Sequence, residues 1–297
     1  MLTEVELNRL FEKSNSPQAG RSLIRKIRET GPVRNLQHRM EGVRTRYISE
    51  KMGRALLAES RTCDFPAIYL RDNDNTTLEL WPQPYQFDLA IRGPKGGTSR
   101  LQHTPKLFLI EEGEGFVIEE WGERTRVQKA AIDSAAQFYC DEEGRWHSRS
   151  MEEHLKPIGI TYRLRCADEH PRVLLSNLEF LEDYSRESRP PVPHAERLRL
   201  VTLLAELHKV PHLSLVREHN FKADDIFQLI MEGTVDVDLR ERLLRNIDEL
   251  VIYRAQAIAQ ADALLQQHHG AMLRASAFRI AVGTRFLYDG SRLRPWQ

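Results

Sequence analysis

Two glutamates occupy positions from which they could act together on a phosphodiester, and a lysine lies between them in the sequence. Glu59 lies near the end of a predicted helix, and Glu120 lies near the end of the predicted strand Phe116–Trp121. Lys106 directly precedes a second predicted strand, Leu107–Ile110. Metal-dependent cleavage needs carboxylates on rigid strands to hold Mg²⁺ and a lysine to orient the attacking water. The two strands predict a hairpin that places residues 106 and 120 at the same end.

Three further polar residues lie near this hairpin in the sequence, and each has two interpretations. Gln83, just before a proline, is either a contact to DNA or metal-bound water, or a polar residue that starts a strand. His103 is either a general base or a hydrogen-bonded structural residue. Glu119, beside Glu120, either supports the site or is a surface charge.

A stretch of positive charge precedes most of these residues. Between residues 21 and 54 the chain has ten Lys and Arg but three Glu, an excess of seven positive charges (ten minus three) in a neutral protein. The stretch predicts a surface that faces phosphates, although a solvated helical face explains it equally well. The ten residues are Arg21, Arg25, Lys26, Arg28, Arg34, Arg39, Arg44, Arg46, Lys51 and Arg54.

Apolar runs and turn residues predict an α/β domain with a mixed sheet flanked by helices. Residues 1–48 form a basic helical arm, in which Ser16-Pro17 begins a helix and Gly31-Pro32 ends it. The domain itself covers 49–184 and opens with a helix that runs from Ser49 to Glu59, and the glycine-rich stretch 93–97 is a hairpin loop. The predicted strands are Thr77–Trp81, Tyr85–Ile91, Leu107–Ile110, Phe116–Trp121 and Ile160–Leu164, and the later helices are Arg126–Phe138, Met151–Leu155 and Val173–Tyr184.

A proline-rich linker separates this domain from a helical second half. The run Arg189–Pro193 contains three prolines and cannot continue a helix or a central strand, so residues 185–194 form the linker. Apolar residues at helical spacing then predict a helix-turn-helix-like domain over 195–267. Residues 268–297 indicate the start of a further β domain, with a strand pair around Asp289-Gly290. We therefore expect the chain to be part of a longer polypeptide.

The composition excludes several classes of protein. The 43 Lys and Arg residues balance 43 Asp and Glu residues, which argues against a polybasic arm that binds nucleic acid by charge alone and against an acidic tail. No apolar run approaches the roughly 20 residues of a bilayer span, and no leader pattern opens the chain. Cys63, Cys140 and Cys166 are too widely spaced for a disulfide framework or a zinc site. We expect a cytoplasmic protein without a membrane partner.

The order and spacing of several short motifs resemble the TnsA-type endonucleases of heteromeric transposases. The resemblance implies a restriction-endonuclease-like fold that cuts 5′ strands with Mg²⁺. It also implies transposon-end DNA, a DDE-type transposase subunit or fused domain, and an ATPase regulator as partners. The matching segments are Lys51-Met52-Gly53 through Glu59-Ser60, Gln83-Pro84, His103-Thr104-Pro105, Glu119-Glu120-Trp121, Asn177-Leu178, Phe180-Leu181, Ile226–Gly233, Val237-Asp238-Leu239 and, as in fused versions, Gly283 with Tyr288-Asp289-Gly290.

Two positions depart from the family pattern. Lys106 stands where the resemblance implies a metal-binding aspartate, and Gly122 stands where it implies the lysine of a Glu-x-Lys motif. Glu59 and Glu120 remain as possible metal ligands, with Glu119 beside them. An ammonium in place of a carboxylate changes the local charge by two units, so Mg²⁺ should bind weakly or not at all. We expect the Lys106 ammonium to lie among Glu59 and Glu120 in place of the ion.

The sequence thus predicts a DNA-transposition protein that binds transposon ends and partner subunits with a degenerate nuclease site. Two alternatives stay open. One is an active Mg²⁺-dependent endonuclease with a rearranged carboxylate set, and the other is a protein-binding scaffold that does not contact DNA.

Overall fold

The structure, a computed structural model, describes residues 1–33, 45–92, 97–135, 137–184, 189–262, 264–265, 286–288 and 291–293. The chain divides into two compact units, Met1–Leu175 and Ser176–Gln297. The helices are α1 (Glu4–Lys13), α2 (Gln18–Thr30), α3 (Asp64–Asp72), α4 (Arg124–Asp133), α5 (Arg149–Leu155), α6 (Arg172–Glu182), α7 (His194–Leu207), α8 (His212–Arg217) and α9 (Ala223–Met231). The strands are β1 (Thr45–Ser49), β2 (Arg54–Ala58), β3 (Thr77–Pro82), β4 (Phe87–Arg92), β5 (Thr98–His103), β6 (Leu107–Glu111), β7 (Gly115–Gly122), β8 (Phe138–Cys140), β9 (Trp146–Ser148), β10 (Thr161–Cys166), β11 (Lys209–Pro211), β12 (Val251–Tyr253), β13 (Phe286–Tyr288) and β14 (Ser291–Leu293).

Helices α1 and α2 form the predicted N-terminal arm. At the start of α1 the Thr3 hydroxyl accepts the Glu6 N–H, while the Glu6 carboxylate accepts the Thr3 N–H. This capping box satisfies two groups that the helix itself cannot pair. Pro17 precedes α2, and Gly31 ends it at φ 68°, as the sequence predicts.

A six-stranded mixed sheet forms the centre of the first unit and confirms the predicted α/β class. Its strand order is β3-β6-β7-β10-β9-β8, in which β7 and β10 are parallel and the other neighbours antiparallel. Strands β3, β6, β7 and β10 lie close to their predicted bounds. All of β6 is buried between its two neighbours and the layers that cover the sheet. The hairpin β6–β7 therefore holds its end residues in a fixed position.

The helix predicted from Ser49 to Glu59 is wrong, because these residues form the turn and the second strand of the antiparallel hairpin β1–β2, whose first strand begins at Thr45 inside the predicted N-terminal arm. The turn explains the difference. The Ser49 hydroxyl accepts the Met52 N–H at 2.9 Å, and Gly53 lies in the left-handed region at φ 61°. Glycine adopts this conformation without a steric penalty, so the chain reverses here instead of continuing a helix. Burial along β2 alternates as in a half-buried strand.

Two other hairpins differ from the predicted elements in their bounds. The predicted strand Tyr85–Ile91 corresponds to β4, which pairs with β5, and residues 93–96 of the predicted loop lie outside the described residues. The predicted helix Arg126–Phe138 is too long, because α4 ends at Asp133 and Phe138 begins β8. Strand β8 pairs with β9 at one end of the six-stranded sheet.

The second unit combines helices with a small strand pair. Strands β11 and β12 pair antiparallel, and the bridge between Asp236 and Tyr253 extends this ribbon. Asn177 on α6 joins the helix to a later loop: its amide donates to the Leu239 carbonyl at 2.9 Å, and its Oδ1 accepts the Leu244 N–H at 2.8 Å. These bonds hold the loop against α6 in the core of the unit.

The predicted boundaries of the second half can be compared only where residues are described. Along the chain, the boundary between the two compact units falls between Leu175 and Ser176, inside α6, whereas the sequence predicts the end of the domain near Tyr184. Residues 185–188 of the predicted linker lie outside the described residues, and Pro193 precedes α7. Strands β13 and β14 pair antiparallel where a strand pair is predicted. Within the described part of the chain, no helix is long and apolar enough to span a membrane.

Candidate functional site

The Lys106 ammonium lies between two carboxylates, directly before the first residue of β6. Its Nζ donates to Oε2 of Glu59 at 2.9 Å and to Oδ2 of Asp64 at 3.3 Å. The Lys106 backbone N–H donates to Oε2 of Glu120 at 3.2 Å. Lys106 therefore meets Glu59 through its side chain, as expected from the sequence, and meets Glu120 through its backbone. We call Glu59, Asp64, Lys106 and Glu120 the ion cluster.

Asp64 is the member of the ion cluster that the sequence analysis missed. It is the first residue of α3, and its Oδ2 also accepts the Glu59 N–H at 3.2 Å. The turn that joins β2 to α3, in which the Phe65 N–H donates to the Ser60 carbonyl at 2.9 Å, brings Glu59 next to the beginning of this helix. Pro66 in the first turn was the available signal, because proline and acidic residues both favour the start of a helix.

The ion cluster contains three carboxylic groups but one ammonium group. Burial alone would lower the pKa of Lys106, but Asp64, Glu59 and Glu120 outweigh burial and raise this pKa above its ordinary value. Burial raises the pKa of Asp64, and the opposing effect of Lys106 does not cancel it. The ammonium is thus charged at neutral pH and is outnumbered by carboxylates.

His103 lies beside the ion cluster on its solvent side. Its Nε2 is 3.3 Å from Oε2 of Glu120, but the two groups are not oriented for a hydrogen bond. The His103 side chain is 29% exposed, compared with 15% for Glu120. A general-base role for His103 stays a prediction.

Glu119 does not join the ion cluster. Successive residues of a strand point to opposite faces, and Glu119 faces away from Glu120. It is fully buried and accepts bonds from Trp121 Nε1 at 2.7 Å, from Arg71, and from Arg163 at 3.4 Å. Burial alone would raise the pKa of Glu119, but Arg71 and Trp121 outweigh burial and lower it. These contacts give Glu119 a structural place in a second, buried charge network.

Gln83 directly follows β3 beside the ion cluster, rather than starting a strand, and its backbone conformation is uncommon. Its φ is 49°, which a non-glycine residue seldom adopts. Its N–H donates to the Lys106 carbonyl at 2.9 Å, and its own carbonyl accepts the Val33 N–H at 3.0 Å. The side chain is 3% exposed, and Oε1 has no hydrogen-bond partner among the described residues. Gln83 therefore fixes the backbone at Lys106.

Gly122 ends β7 on the same face as Glu120 but offers no side chain to the site. A Cβ at this position would lie 3.0 Å from Cγ2 of Val127 on α4. Position 122, where the resemblance implies a lysine, is therefore tightly packed as well as uncharged.

Most of the predicted phosphate-facing cations make contacts within the first unit. Arg46 on β1 is exposed, and Arg34, Arg39 and Arg44 lie outside the described residues. Phosphate contacts by these residues stay a prediction. The contacts are Arg21 and Arg25 over the Phe11 ring, Lys26 over Tyr85, Arg54 over Trp81, Arg28 with Glu79, and Lys51 with the carbonyl oxygens of Asp74 and Thr77.

The residues present do not fit a resident Mg²⁺ ion. The Lys106 ammonium already contacts Oε2 of Glu59 and Oδ2 of Asp64, two of the oxygens that an ion would need. In the part of the chain that the structure describes, no three His, Cys, Asp or Glu side chains are arranged to hold a metal ion.

Comparison with known proteins does not assign the chain to a family. No family model matches the sequence, and no curated protein is significantly similar to it. A functional proposal therefore depends on the sequence resemblance and on the geometry of the ion cluster.

Proposed function

We propose that this chain is a DNA-transposition protein that binds transposon-end DNA and partner transposase subunits without cutting DNA. The proposal takes its DNA, its DDE-type transposase partner and its ATPase regulator from the sequence resemblance. The proposed loss of cleavage is supported by one observation, the position of Lys106 Nζ at 2.9 Å from Glu59 Oε2. The mixed sheet flanked by helices is compatible with the restriction-endonuclease-like fold that the resemblance implies.

Electrostatics supports the loss of metal-dependent cleavage. At about 4 Å and an effective dielectric near 20, one unit charge is worth roughly 4 kcal/mol, and a divalent ion feels about twice that effect. The ammonium of Lys106 therefore opposes an ion at the very oxygens that would bind it. Gly122 supplies no side chain to orient water, so a second requirement of the reaction is also unmet.

The second unit supports protein docking more than DNA reading. Helices α8 and α9 follow each other as in a helix-turn-helix, but every residue from Ile226 to Ile230 of α9 is buried. The first turn of α9 carries Asp224 and Asp225, which repel phosphates. In this proposal the second unit binds the partner subunits, and the first unit contacts DNA.

A nicking assay tests the proposal. Supercoiled plasmid is incubated with the full chain and Mg²⁺ or Mn²⁺, and we expect no metal-dependent nicked product. Glu59→Ala serves as the matched control, since it removes the carboxylate that contacts Lys106. Nicking by the wild-type chain that Glu59→Ala abolishes would overturn the proposal.

The DNA-binding part is tested separately by the salt dependence of affinity. Fluorescence anisotropy with a labelled DNA duplex should give a logarithmic plot of affinity against salt with a steep negative slope, since each phosphate contact releases counterions. A chain that does not bind duplex DNA at low salt would instead support the protein-binding scaffold.

One observation favours a second candidate, the active endonuclease with a rearranged site. Glu59 and Asp64 form a carboxylate pair, and Lys106 supplies a lysine beside them. For this candidate we expect nicking by the wild-type chain that Asp64→Asn abolishes. The same assay therefore separates the two functions.

A further inference from the structure

Strands β4 and β5 form a two-stranded ribbon that is separate from the six-stranded sheet. Each strand has six residues, so this β4–β5 ribbon is about 20 Å long. At its base, where Phe87 pairs with His103, Phe87 is 1% exposed and its ring lies against His154 of α5, with ring centroids 5.6 Å apart. Leu89 is buried as well. The apolar side chains of β4 therefore anchor the ribbon to the first unit.

The opposite face of the β4–β5 ribbon is polar and exposed. The register pairs Asp88 with Gln102 and Ala90 with Arg100, so these four exposed side chains share one face. Asp88 lies at the base end of this face, two register steps from Arg100. In the described part of the chain, neither the Arg100 guanidinium nor the Gln102 amide bonds to another residue. The Arg100 guanidinium is therefore available to an anion from outside the chain.

The sequence of the β4–β5 ribbon is positively charged. Residues 89–105 contain Arg92, Lys95 and Arg100 but no Asp or Glu, in a chain whose charges otherwise balance. Arg100 is not among the ten cations that the sequence predicts to face phosphates, and most of those ten contact groups of the first unit instead. Lys95 lies outside the described residues, so Arg100 is the cation on which the argument rests.

The β4–β5 ribbon begins beside the ion cluster. His103 is the last residue of β5, and its Nε2 is 3.3 Å from Oε2 of Glu120. Arg100 lies three residues away from His103 along the strand, a distance of about 10 Å. A DNA strand advances about 3.4 Å per base pair. A duplex that passes the ion cluster and runs along the ribbon would therefore reach Arg100 within about three base pairs.

The chemistry of the exposed face suits duplex DNA better than a protein partner. Protein interfaces centre on buried apolar and aromatic side chains. The exposed face offers Ala90 as its one apolar side chain, together with a guanidinium and an amide. Arginine and glutamine both donate to phosphate oxygens, and an antiparallel β-ribbon is narrow enough for the major groove, which is about 12 Å wide.

We propose that the exposed face of the β4–β5 ribbon contacts duplex DNA next to the ion cluster, and that Arg100 binds a phosphate of this duplex. The inference rests on the proposed function, because it takes duplex DNA as the partner of the first unit. It goes further by naming the element and the cation that hold the DNA.

The test measures the affinity of the full chain for a labelled DNA duplex of mixed sequence by fluorescence anisotropy at several salt concentrations. We expect Arg100→Gln to bind about tenfold more weakly than the wild type, because it loses a hydrogen bond between charged groups. Its salt dependence should be shallower by about one in logarithmic slope, since one phosphate contact is lost. Arg126→Gln removes the same charge from an 82% exposed side chain of α4 and should bind like the wild type. Arg100→Lys keeps the charge and should retain most of the affinity.

The outcomes separate this inference from the proposed function. If the wild type binds the duplex and a folded Arg100→Gln binds equally well, the inference fails while the proposed function stands. Equal losses in Arg100→Gln and Arg126→Gln would show an effect of net charge and would also overturn it. A wild-type chain that does not bind the duplex removes the proposed function and this inference together.

Two further measurements complete the test. If Arg100→Gln does not fold, Gln102→Glu adds a negative charge to the same face and should weaken DNA binding by a similar factor, and an unchanged affinity would contradict the inference. Labelled poly-glutamate serves as a model of an acidic protein. If it binds as tightly as the duplex and Arg100→Gln weakens it equally, the partner of the β4–β5 ribbon is an acidic protein and the inference is wrong.

Discussion

Residues 106 and 122 differ in the room that the structure leaves for another side chain. A Cβ at Gly122 would lie 3.0 Å from Cγ2 of Val127, so a lysine there forces Val127 to move. We expect Gly122→Lys to lower the free energy of unfolding of the first unit by about 1–3 kcal/mol, the usual cost of overpacking. Urea denaturation of the full chain measures this loss.

Because a side chain at residue 122 would contact Val127, a variant designed to regain cleavage must also shorten Val127. We expect Lys106→Asp with Gly122→Lys and Val127→Ala to nick supercoiled plasmid in the presence of Mg²⁺, since it supplies both groups and the space for them. Lys106→Asp alone is the control and should stay inactive, because residue 122 still lacks a lysine. A folded triple variant without activity would show that the site lacks more than these two side chains.

The buried charge network around Glu119 leads to a stability prediction. Arg71 contacts both Glu119, which is fully buried, and Glu111 at 3.2 Å. We expect Arg71→Met to lower the free energy of unfolding by about 3–5 kcal/mol, because it removes the closest positive charge from a buried carboxylate and leaves only Trp121 and the more distant Arg163 as its partners. Arg126→Met, which breaks an exposed pair with Glu123, is the control and should change stability by less than about 1 kcal/mol in the same urea denaturation. A loss of similar size in both variants would contradict the importance of burial.

At the residue scale the sequence predicts contacts that follow from strand register and misses those that depend on a turn. The contact between Lys106 and Glu59 and the proximity of Lys106 to Glu120 could be predicted from charge and from the β6–β7 hairpin. The separation of Glu119 from Glu120 could also have been predicted, since strand residues alternate between faces. The approach of Asp64 to Lys106 could not, because it depends on the turn that joins β2 to α3, and the sequence pattern predicts a helix instead of β2 before that turn.

At the element scale the long buried strands were the predictable part of the fold. Strands β3, β6, β7 and β10 are apolar runs bounded by turn residues, and the structure confirms them. The short strands β8 and β9 were missed because three residues carry too little periodicity to be recognised. Hydrophobic spacing that suits both helix and strand explains the error at β1–β2, where one glycine decided the outcome.

His147 connects the hairpin β8–β9 to helix α5. Its Nε2 lies 3.0 Å from Asp141 Oδ2, and its Nδ1 lies 2.6 Å from Glu152 Oε1. Burial alone would lower the pKa of His147, but the bonds to Asp141 and Glu152 outweigh burial and raise it. The pKa in the folded chain therefore exceeds the ordinary value of about 6.5. The resulting stabilisation is complete below that pH and is lost as the pH rises through the folded-state pKa.

A pH series of melting temperatures checks this connection. We expect His147→Gln to melt at a lower temperature than the wild type at about pH 5.5 and to differ little from it at about pH 9. His154→Gln, an exposed histidine on α5, is the control and should follow the wild type at both values. An equal loss at both pH values would mean that His147 acts through packing and not through its charge.

At the scale of the whole molecule, each compact unit contains a core of its own and a buried histidine. In the first unit, His170 Nε2 donates a hydrogen bond to the Cys63 carbonyl at 3.0 Å. In the second unit, neither ring nitrogen of His212 has a hydrogen-bond partner among the described residues. Burial lowers the pKa of both histidines below the ordinary value, so both are neutral in the folded chain at neutral pH.

His212 makes the second unit sensitive to acid. It is 1% exposed and stacks on Phe227 with ring centroids 5.2 Å apart. Since its folded-state pKa lies below the unfolded value of about 6.5, its stability contribution is complete above that pH and is lost as the pH falls. We expect His212→Phe to resist acid better than the wild type, with little difference at about pH 8, when unfolding is followed by circular dichroism. His194→Gln replaces an exposed histidine of α7 and should not change the pH of acid unfolding. If His212→Phe unfolds at the same pH as the wild type, another group determines the pH of acid unfolding.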